Sequence, residues 1–248
     1  LLTIQNVSKH FGGLKALENV TIHLGSDKIY GLIGPNGAGK TSLFNLITGV
    51  LPVSKGSIQF EGKELNKLQP HEISRLGISR TYQNIRLFPS MTVLENVLVA
   101  QNIHTQWGLG SIFKVRRSDL KLLDQAEELL KQMGLWTKRK EMSTSLAYGE
   151  QRRLEIARAL ALKPKLLLLD EPAAGMNESE TENLLQRIEE IRAQGKTILL
   201  IEHDMSVIMR ICSYISVLNF GELIAQGTPE EIQTNEAVIE AYLGREEG

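Results

Sequence analysis

Apolar positions along the 248-residue chain follow two rhythms. From Leu1 to about Ile33 they come in short β-rich runs, Leu2 to Val7, Asn19 to Leu24 and Lys28 to Ile33, broken by Gly12-Gly13 and Gly25-Ser26. Such runs between glycine turns predict strands. A glycine-rich loop follows, then a helical pattern from Lys40 to about Gly49, where Gly49 and Pro52 end it. Ser57 to Phe60 and Gly77 to Tyr82 again read as strands. From Thr92 to about Lys163 the rhythm changes: Leu122, Leu123, Ala126, Leu129 and Leu130 repeat near 3.6 residues in a charged background, which predicts a helical insert. Strand and helix then alternate through Leu166 to Leu169, Glu178 to Gln194, Thr197 to Ile201 and Met205 to about Cys212. That alternation predicts a parallel sheet. Asn177 is placed to cap the Glu178 helix, with Glu180 at its third position and Gly195 closing it. No internal repeat or low-complexity segment interrupts the pattern.

Charge and cysteine content narrow the class. With 28 basic and 29 acidic residues the net charge is −1, so the basic excess by which a general nucleic-acid binder neutralises phosphates is missing. Cys212, the one cysteine, cannot form an internal disulfide or a Cys-based zinc site, and fits a reducing compartment. Apolar runs such as Leu166 to Leu169 are far short of the roughly 20 residues of a membrane span. Leu1-Leu2-Thr3-Ile4 lacks the features of a signal peptide and reads as a first strand; the absence of a starting Met predicts a coding sequence that begins slightly earlier.

Gly34-Pro35-Asn36-Gly37-Ala38-Gly39-Lys40-Thr41 matches G-x-x-x-x-G-K-[ST] directly after an apolar strand and before a helix, the context that motif requires. Its glycines let backbone N–H groups converge on phosphate oxygens, and the helix N-terminus adds partial positive charge. Lys40 would reach the β and γ phosphates, Thr41 would ligate Mg²⁺, and Ser42 is placed for a further phosphate hydrogen bond. Leu166 to Leu169, apolar on both faces, ends in Asp170-Glu171-Pro172, and ligands in parallel sheets gather beyond such carboxyl ends. Neighbouring side chains diverge there, so Asp170 suits a metal and Glu171 an attacking water. His203 follows the Thr197 to Ile201 strand in the same way, where an imidazole could meet a γ-phosphate or orient water. His10, His23, His71 and His104 have no comparable partners.

With Leu146-Ala147-Tyr148-Gly149-Glu150-Gln151 opening a helix before Asp170, these motifs together resemble the ATP-binding cassette (ABC) ATPases over nearly the whole chain. The resemblance implies an α/β fold: a P-loop (RecA-like) core with an N-terminal antiparallel β subdomain and an inserted α-helical subdomain. The core would comprise residues 1–90 and 160–248, and residues 91–159 the helical subdomain with the signature, within one domain of 1–248. It further implies that Phe11 stacks on adenine and that Asn36, Gly37, Ala38, Gly39, Lys40, Thr41 and Ser42 hold phosphates. Gln83 senses Mg²⁺, Thr41 and Asp170 hold it, Glu171 is the general base and His203 the γ-phosphate switch. Ala147, Tyr148, Gly149 and Glu150 match the element that closes over ATP on a second subunit, so the active unit is a dimer.

Two departures stand out. The usual signature has Ser then Gly where this chain has Ala147 and Tyr148, which leaves the γ-phosphate contact to backbone N–H groups. The loop usually reading Ser-Ala-Leu-Asp is Ala174-Gly175-Met176-Asn177, which replaces a charged inter-subunit contact by a neutral one. Arg80 to Phe88, Leu146 to Ala157 and Glu171 to Asn177 look like the larger ATPase subunit of branched-chain amino acid importers; Arg116-Arg117 and the ending Ala241-Tyr242-Leu243-Gly244 are similar too. Amide or urea importers and polar amino acid or lipopolysaccharide systems are related alternatives. The implied partners are integral membrane permease subunits, a second ABC ATPase or a second copy, and indirectly an extracytoplasmic solute-binding protein, at the cytoplasmic face of the plasma (inner) membrane. A permease helix would dock behind Gln83, around Ile85, Leu87 and Phe88. Signature-containing ATPases of DNA or the ribosome are disfavoured, since no sustained heptads separate Lys40 from Asp170 and there is one cassette. A P-loop kinase or GTPase is disfavoured because N-K-x-D is absent and the signature would be unexplained.

Overall fold

In the strand Leu166–Asp170, alternate side chains enter different cores. Leu166 and Leu168 face one apolar cluster and Leu167 and Leu169 the other, all fully buried. A run of consecutive leucines is what a strand covered on both faces requires. This structure is a computed structural model that describes residues 1–101 and 117–243.

The described elements run, in chain order, β1 (Leu2–Phe11), β2 (Leu14–Leu24), β3 (Ile29–Ile33), α1 (Lys40–Ile47), β4 (Lys55–Phe60), β5 (Lys63–Glu64), α2 (Pro70–Leu76), β6 (Ile78–Arg80), α3 (Val93–Gln101) and α4 (Arg117–Gln132). They continue with α5 (Tyr148–Ala161), β7 (Leu166–Asp170), α6 (Glu178–Ala193), β8 (Thr197–Ile201), α7 (Met205–Ile211), β9 (Tyr214–Asn219), β10 (Glu222–Gly227), α8 (Pro229–Gln233) and α9 (Glu236–Leu243).

Two sheets form. The first, β2-β1-β4-β5, is antiparallel throughout. The second has the order β10-β9-β3-β8-β7-β6, parallel from β9 to β6 with β10 antiparallel at its edge. One face of this parallel sheet shares a core with the antiparallel sheet and α1, through Leu32, Leu43, Phe44, Leu168 and Ile201. The other face shares a core with α3 to α7, through Ile33, Val97, Leu130, Leu154, Leu169, Leu184 and Val207.

The α/β reading from the sequence is what the structure shows, and Thr197–Ile201 falls where the pattern placed it. Asn177 caps α6 by accepting from the Glu180 N–H at 2.9 Å, Glu180 answers on the Asn177 N–H at 3.1 Å, and Gly195 follows the helix end with φ of +78°. Helix α4 buries a narrower stripe than its periodicity suggests: Ala126 and Leu130 are fully buried, but Leu123 is exposed. The β9-β10 hairpin and helices α2, α8 and α9 were not read from the sequence. The similarities drawn from Arg116 and Gly244, and His104 with them, lie outside the described residues.

Because Leu168 is fully buried in the core beneath the central strand, Leu168→Ala is expected to lower unfolding stability by about 2–5 kcal/mol. Urea denaturation checks this, and a loss under about 1 kcal/mol would contradict the two-sided burial of β7.

Candidate functional site

The chain leaves β3 through a loop that only glycine allows. At Gly34 an added Cβ would lie 2.0 Å from the Leu218 carbonyl oxygen, and at Gly39, with φ of +104°, 2.7 Å from that of Ala16. The loop therefore turns tightly into α1, whose first turn holds no acidic residue and no side-chain cap. Open N–H groups at a helix N-terminus favour an anion. Lys40 is buried in the same loop, its Nζ donating to the carbonyls of Gly34 at 2.6 Å and Pro35 at 3.0 Å. Phe11, Asn36, Gly37, Ala38, Gly39, Lys40, Thr41, Ser42, Gln83, Glu171 and His203 line one cleft of about 400 Å³, together with Leu14, Lys15 and Ala16. The Phe11 ring is 45% exposed there, with the Lys9 Nζ 4.8 Å from its centre. An aromatic face open at the rim is the arrangement that base stacking needs.

Across the cleft, three strand ends converge on one carboxylate. Glu171 follows β7 with φ of +49°, a conformation uncommon for a residue with a side chain, held by its N–H bonding the Ile201 carbonyl at 2.9 Å. Gln83 Nε2, beyond β6, donates to Glu171 Oε2 at 3.0 Å, and His203 Nε2, beyond β8, donates to Oε1 at 2.5 Å. Two donors on one carboxylate fix its direction, which is what a base that must receive a proton from water requires.

Asp170 lies beneath, 2% exposed, in an ion pair of 2.7 Å with Arg80, and its N–H meets Thr81 Oγ1 at 3.3 Å. Arg80 also donates to Asn45 Oδ1 at 2.6 Å and packs between the Phe44 and Tyr82 rings. Sequence reading missed Arg80; its signal was a basic residue at the end of the strand that pairs with the acid-bearing one. The Thr41 hydroxyl, Gln83 amide and Asp170 carboxylate supply oxygen donors of the kind a hard divalent cation takes; Thr41 and Gln83 line the cleft, whereas Asp170 is buried outside its lining with one oxygen engaged by Arg80.

Ala147, Tyr148, Gly149 and Glu150 are not brought to this cleft. They open α5 elsewhere, where Gly149 lines a separate depression with Met176 and Glu180. Ala147 has no side-chain acceptor, so the first-turn N–H groups of α5 lack a side-chain cap. The Glu150 side chain turns to Lys138, at 2.7 Å, and to the Ala147 N–H, at 3.2 Å. A second feature that sequence reading missed is a buried clasp from α5 onto the segment after β6. Arg152 donates to the carbonyls of Tyr82 at 2.6 Å and Gln83 at 2.7 Å, while Glu155 accepts from the N–H groups of Tyr82 and Arg86. Ile85 and Leu87 are half-buried near this segment, and Phe88 is exposed beneath the Arg158 guanidinium.

Comparison with known proteins gives a consistent picture. The family model described as "ABC transporter" matches residues 17–174, and that described as "Branched-chain amino acid ATP-binding cassette transporter" matches residues 222–248. The high-affinity branched-chain amino acid transport ATP-binding protein LivG of Salmonella typhimurium is 47% identical over 98% of both chains. The corresponding protein BraF of Pseudomonas aeruginosa is 43% identical over the same shares. A nucleotide-free ATP-binding cassette from an ABC transporter superposes with a TM-score of 0.87 and 31% identity, covering 98% of this chain and 99% of the other.

Next to His203, Glu202 is buried and accepts the Ala173 N–H at 2.7 Å. Burial, with Glu171 and Asp204 nearby, raises its carboxyl from 4.5 to about 7. An acid whose pKa is higher folded than unfolded keeps an extra proton in the folded state, so its stabilisation is present at low pH and lost as pH rises from about 4.5 through about 7. The free energy of urea unfolding is expected to fall by about 2 kcal/mol more in the unmodified chain than in Glu202→Gln between about pH 5 and about pH 8. The Gln amide oxygen still accepts the Ala173 N–H, so parallel pH profiles would contradict a raised Glu202.

Proposed function

The chain belongs to the ABC transporter family of ATP-binding cassettes and is an ATPase; from that premise we propose that it is the ATP-hydrolysing subunit of a branched-chain amino acid importer. The solute assignment is supported by the relatives LivG and BraF, whose names carry that role. In this reading the core comprises residues 1–90 and 160–248, and residues 91–159 form the helical subdomain. The observation that carries the chemistry is the Glu171 carboxylate held by Gln83 and His203, facing the phosphate loop across one cleft.

Phe11 stacks on the adenine and the loop from Asn36 to Ser42 binds the phosphates, with Lys40 leaving its loop carbonyls for the β and γ oxygens. Mg²⁺, held through Thr41, Gln83 and Asp170, would neutralise charge on those oxygens. Glu171 takes the proton of the attacking water, and His203 and Gln83 keep its carboxylate in place and contact the γ-phosphate side of the cleft. Positioning and electrostatics of this kind are the main catalytic terms in phosphoryl transfer.

The open N–H groups at the start of α5 lie away from the same chain's cleft. A second subunit supplying Ala147, Tyr148, Gly149 and Glu150 would complete each site, by backbone contacts, since the Ser hydroxyl is missing and Glu150 is engaged by Lys138. Closing and opening of this pair would drive integral membrane permease subunits docked at Ile85, Leu87 and Phe88, with an extracytoplasmic solute-binding protein acting through the permease. No helix among the described residues is long and apolar enough to cross a membrane, and peripheral attachment at the cytoplasmic face of the inner membrane agrees with that.

Light scattering with a parallel hydrolysis assay tests the reading. Glu171→Gln is expected to lose hydrolysis by about 10²–10⁴-fold, to retain ATP, and to become dimeric with Mg-ATP. Removing Mg²⁺ with chelator abolishes both hydrolysis and dimerisation. A Glu171→Gln chain that hydrolyses at the unmodified rate contradicts it, and one that stays monomeric with ATP bound makes a second, related ATPase the partner in place of a second copy.

A further inference from the structure

The two departures from the usual motifs meet in space. Tyr148 stands where the signature usually has glycine, and Gly175 stands where the loop after Glu171 usually has alanine. A Cβ built at Gly175 would lie 3.3 Å from Tyr148 Cε1, with two further ring carbons within 3.9 Å. The Tyr148 ring thus stands beside Gly175 at the surface, where a methyl on residue 175 would touch it.

From the ring the contacts continue inward. Tyr148 Oη accepts from Arg152 Nη2 at 3.3 Å, and the same nitrogen donates to the Gln83 carbonyl at 2.7 Å. Arg152 Nη1 holds the Tyr82 carbonyl at 2.6 Å and Glu155 Oε2 at 2.9 Å. Arg152 is fully buried, and Glu155 accepts the Tyr82 and Arg86 N–H groups, so the backbone around Gln83 is held from both sides by one ion pair. Gln83 returns to Glu171 through its side chain. From Glu171 the backbone runs four residues to Gly175. The circuit Glu171, Gly175, Tyr148, Arg152, Gln83, Glu171 is therefore closed within one chain.

We propose that Tyr148 and Arg152 are positioning residues that make the loop around Gly175 and the segment around Gln83 move as one unit. The proposal deepens the function proposed above, because Gly175 lies in the loop that would face a second subunit and Gln83 touches the base. A displacement at Gly175 presses on the Tyr148 ring; the ring hydroxyl shifts Arg152; and Arg152 carries the Tyr82 and Gln83 carbonyls with it. Tyr148 is 46% exposed and Gly175 lies at the surface, so the ring is tied to the interior through its hydroxyl contact with Arg152; from Arg152 inward the groups are buried, and a shift there is passed on to the carbonyls they hold.

A double-mutant cycle read by hydrogen exchange tests this on the full chain without nucleotide. Gly175→Ala adds a methyl against the ring, at a cost in left-handed backbone strain that is the same with or without Tyr148 and so cancels in the cycle. In the Tyr148 chain, Gly175→Ala is expected to raise the exchange rate of a peptide covering residues 82–88 by about threefold or more. In the Tyr148→Ala chain the same substitution is expected to leave that peptide unchanged. Tyr148→Phe, which keeps the ring and removes the hydroxyl, gives a reduced response and serves if the alanine variant does not fold. An equal response in all backgrounds, or none in the Tyr148 chain, overturns the coupling. Binding of a fluorescent ATP analogue is measured alongside: failure of the unmodified chain to bind it would contradict the proposed function, while the exchange cycle remains readable by itself.

Discussion

Everything at the site depends on the parallel pairing of β3, β7 and β8. Leu32 pairs with Ile201 and Ile201 with Asp170, so the carboxyl ends of the three strands lie level. One releases the glycine loop and Lys40, one Glu171 and one His203. A one-residue slip of β7 against β8 would exchange the faces of its leucines and move the carboxylate off the cleft. The same burial that stabilises the sheet therefore sets the level at which the reacting groups emerge.

What the sheet does not fix, polar contacts between loops do. Glu171 occupies a left-handed backbone conformation, and the Ile201 carbonyl, Gln83 and His203 hold it there. Asp170 is tied to Arg80, Glu202 reaches the Ala173 N–H, and Arg152 with Glu155 clasps the segment carrying Gln83. Each of these buried charged groups is paired or hydrogen-bonded, as the low dielectric of the interior demands. The loops around the base thus form one connected set, with the phosphate loop on the opposite wall.

Elements with a regular period were legible in the sequence: the Leu166 to Leu169 run, Thr197 to Ile201, and the capped helix from Glu178. The phosphate loop and the two acids were legible because their chemistry needs fixed residue types at fixed spacing, and His203 because it ends an adjacent strand. Arg80, Arg152, Glu155 and Glu202 were not. Each acts through a partner distant in the sequence, Arg80 on Asp170 and Arg152 on Tyr82 and Gln83, and only the folded chain joins them. Leu123 was misjudged because α4 presents a narrow buried stripe, while periodicity alone counts every apolar position. The Tyr148 and Gly175 departures were visible as two separate oddities; that one accommodates the other is a fact of packing.

In the proposed function each hydrolytic site is completed by a second subunit, and complementation between two inactive variants tests this. Lys40→Met removes the phosphate-binding ammonium, and Gly149→Asp places a carboxylate at the start of α5 that repels an anion. Each folded variant is expected to be inactive alone. Mixed, they can pair so that one intact phosphate loop faces one intact signature, and the account predicts that hydrolysis returns. A mixture as inert as its two components would contradict the shared site.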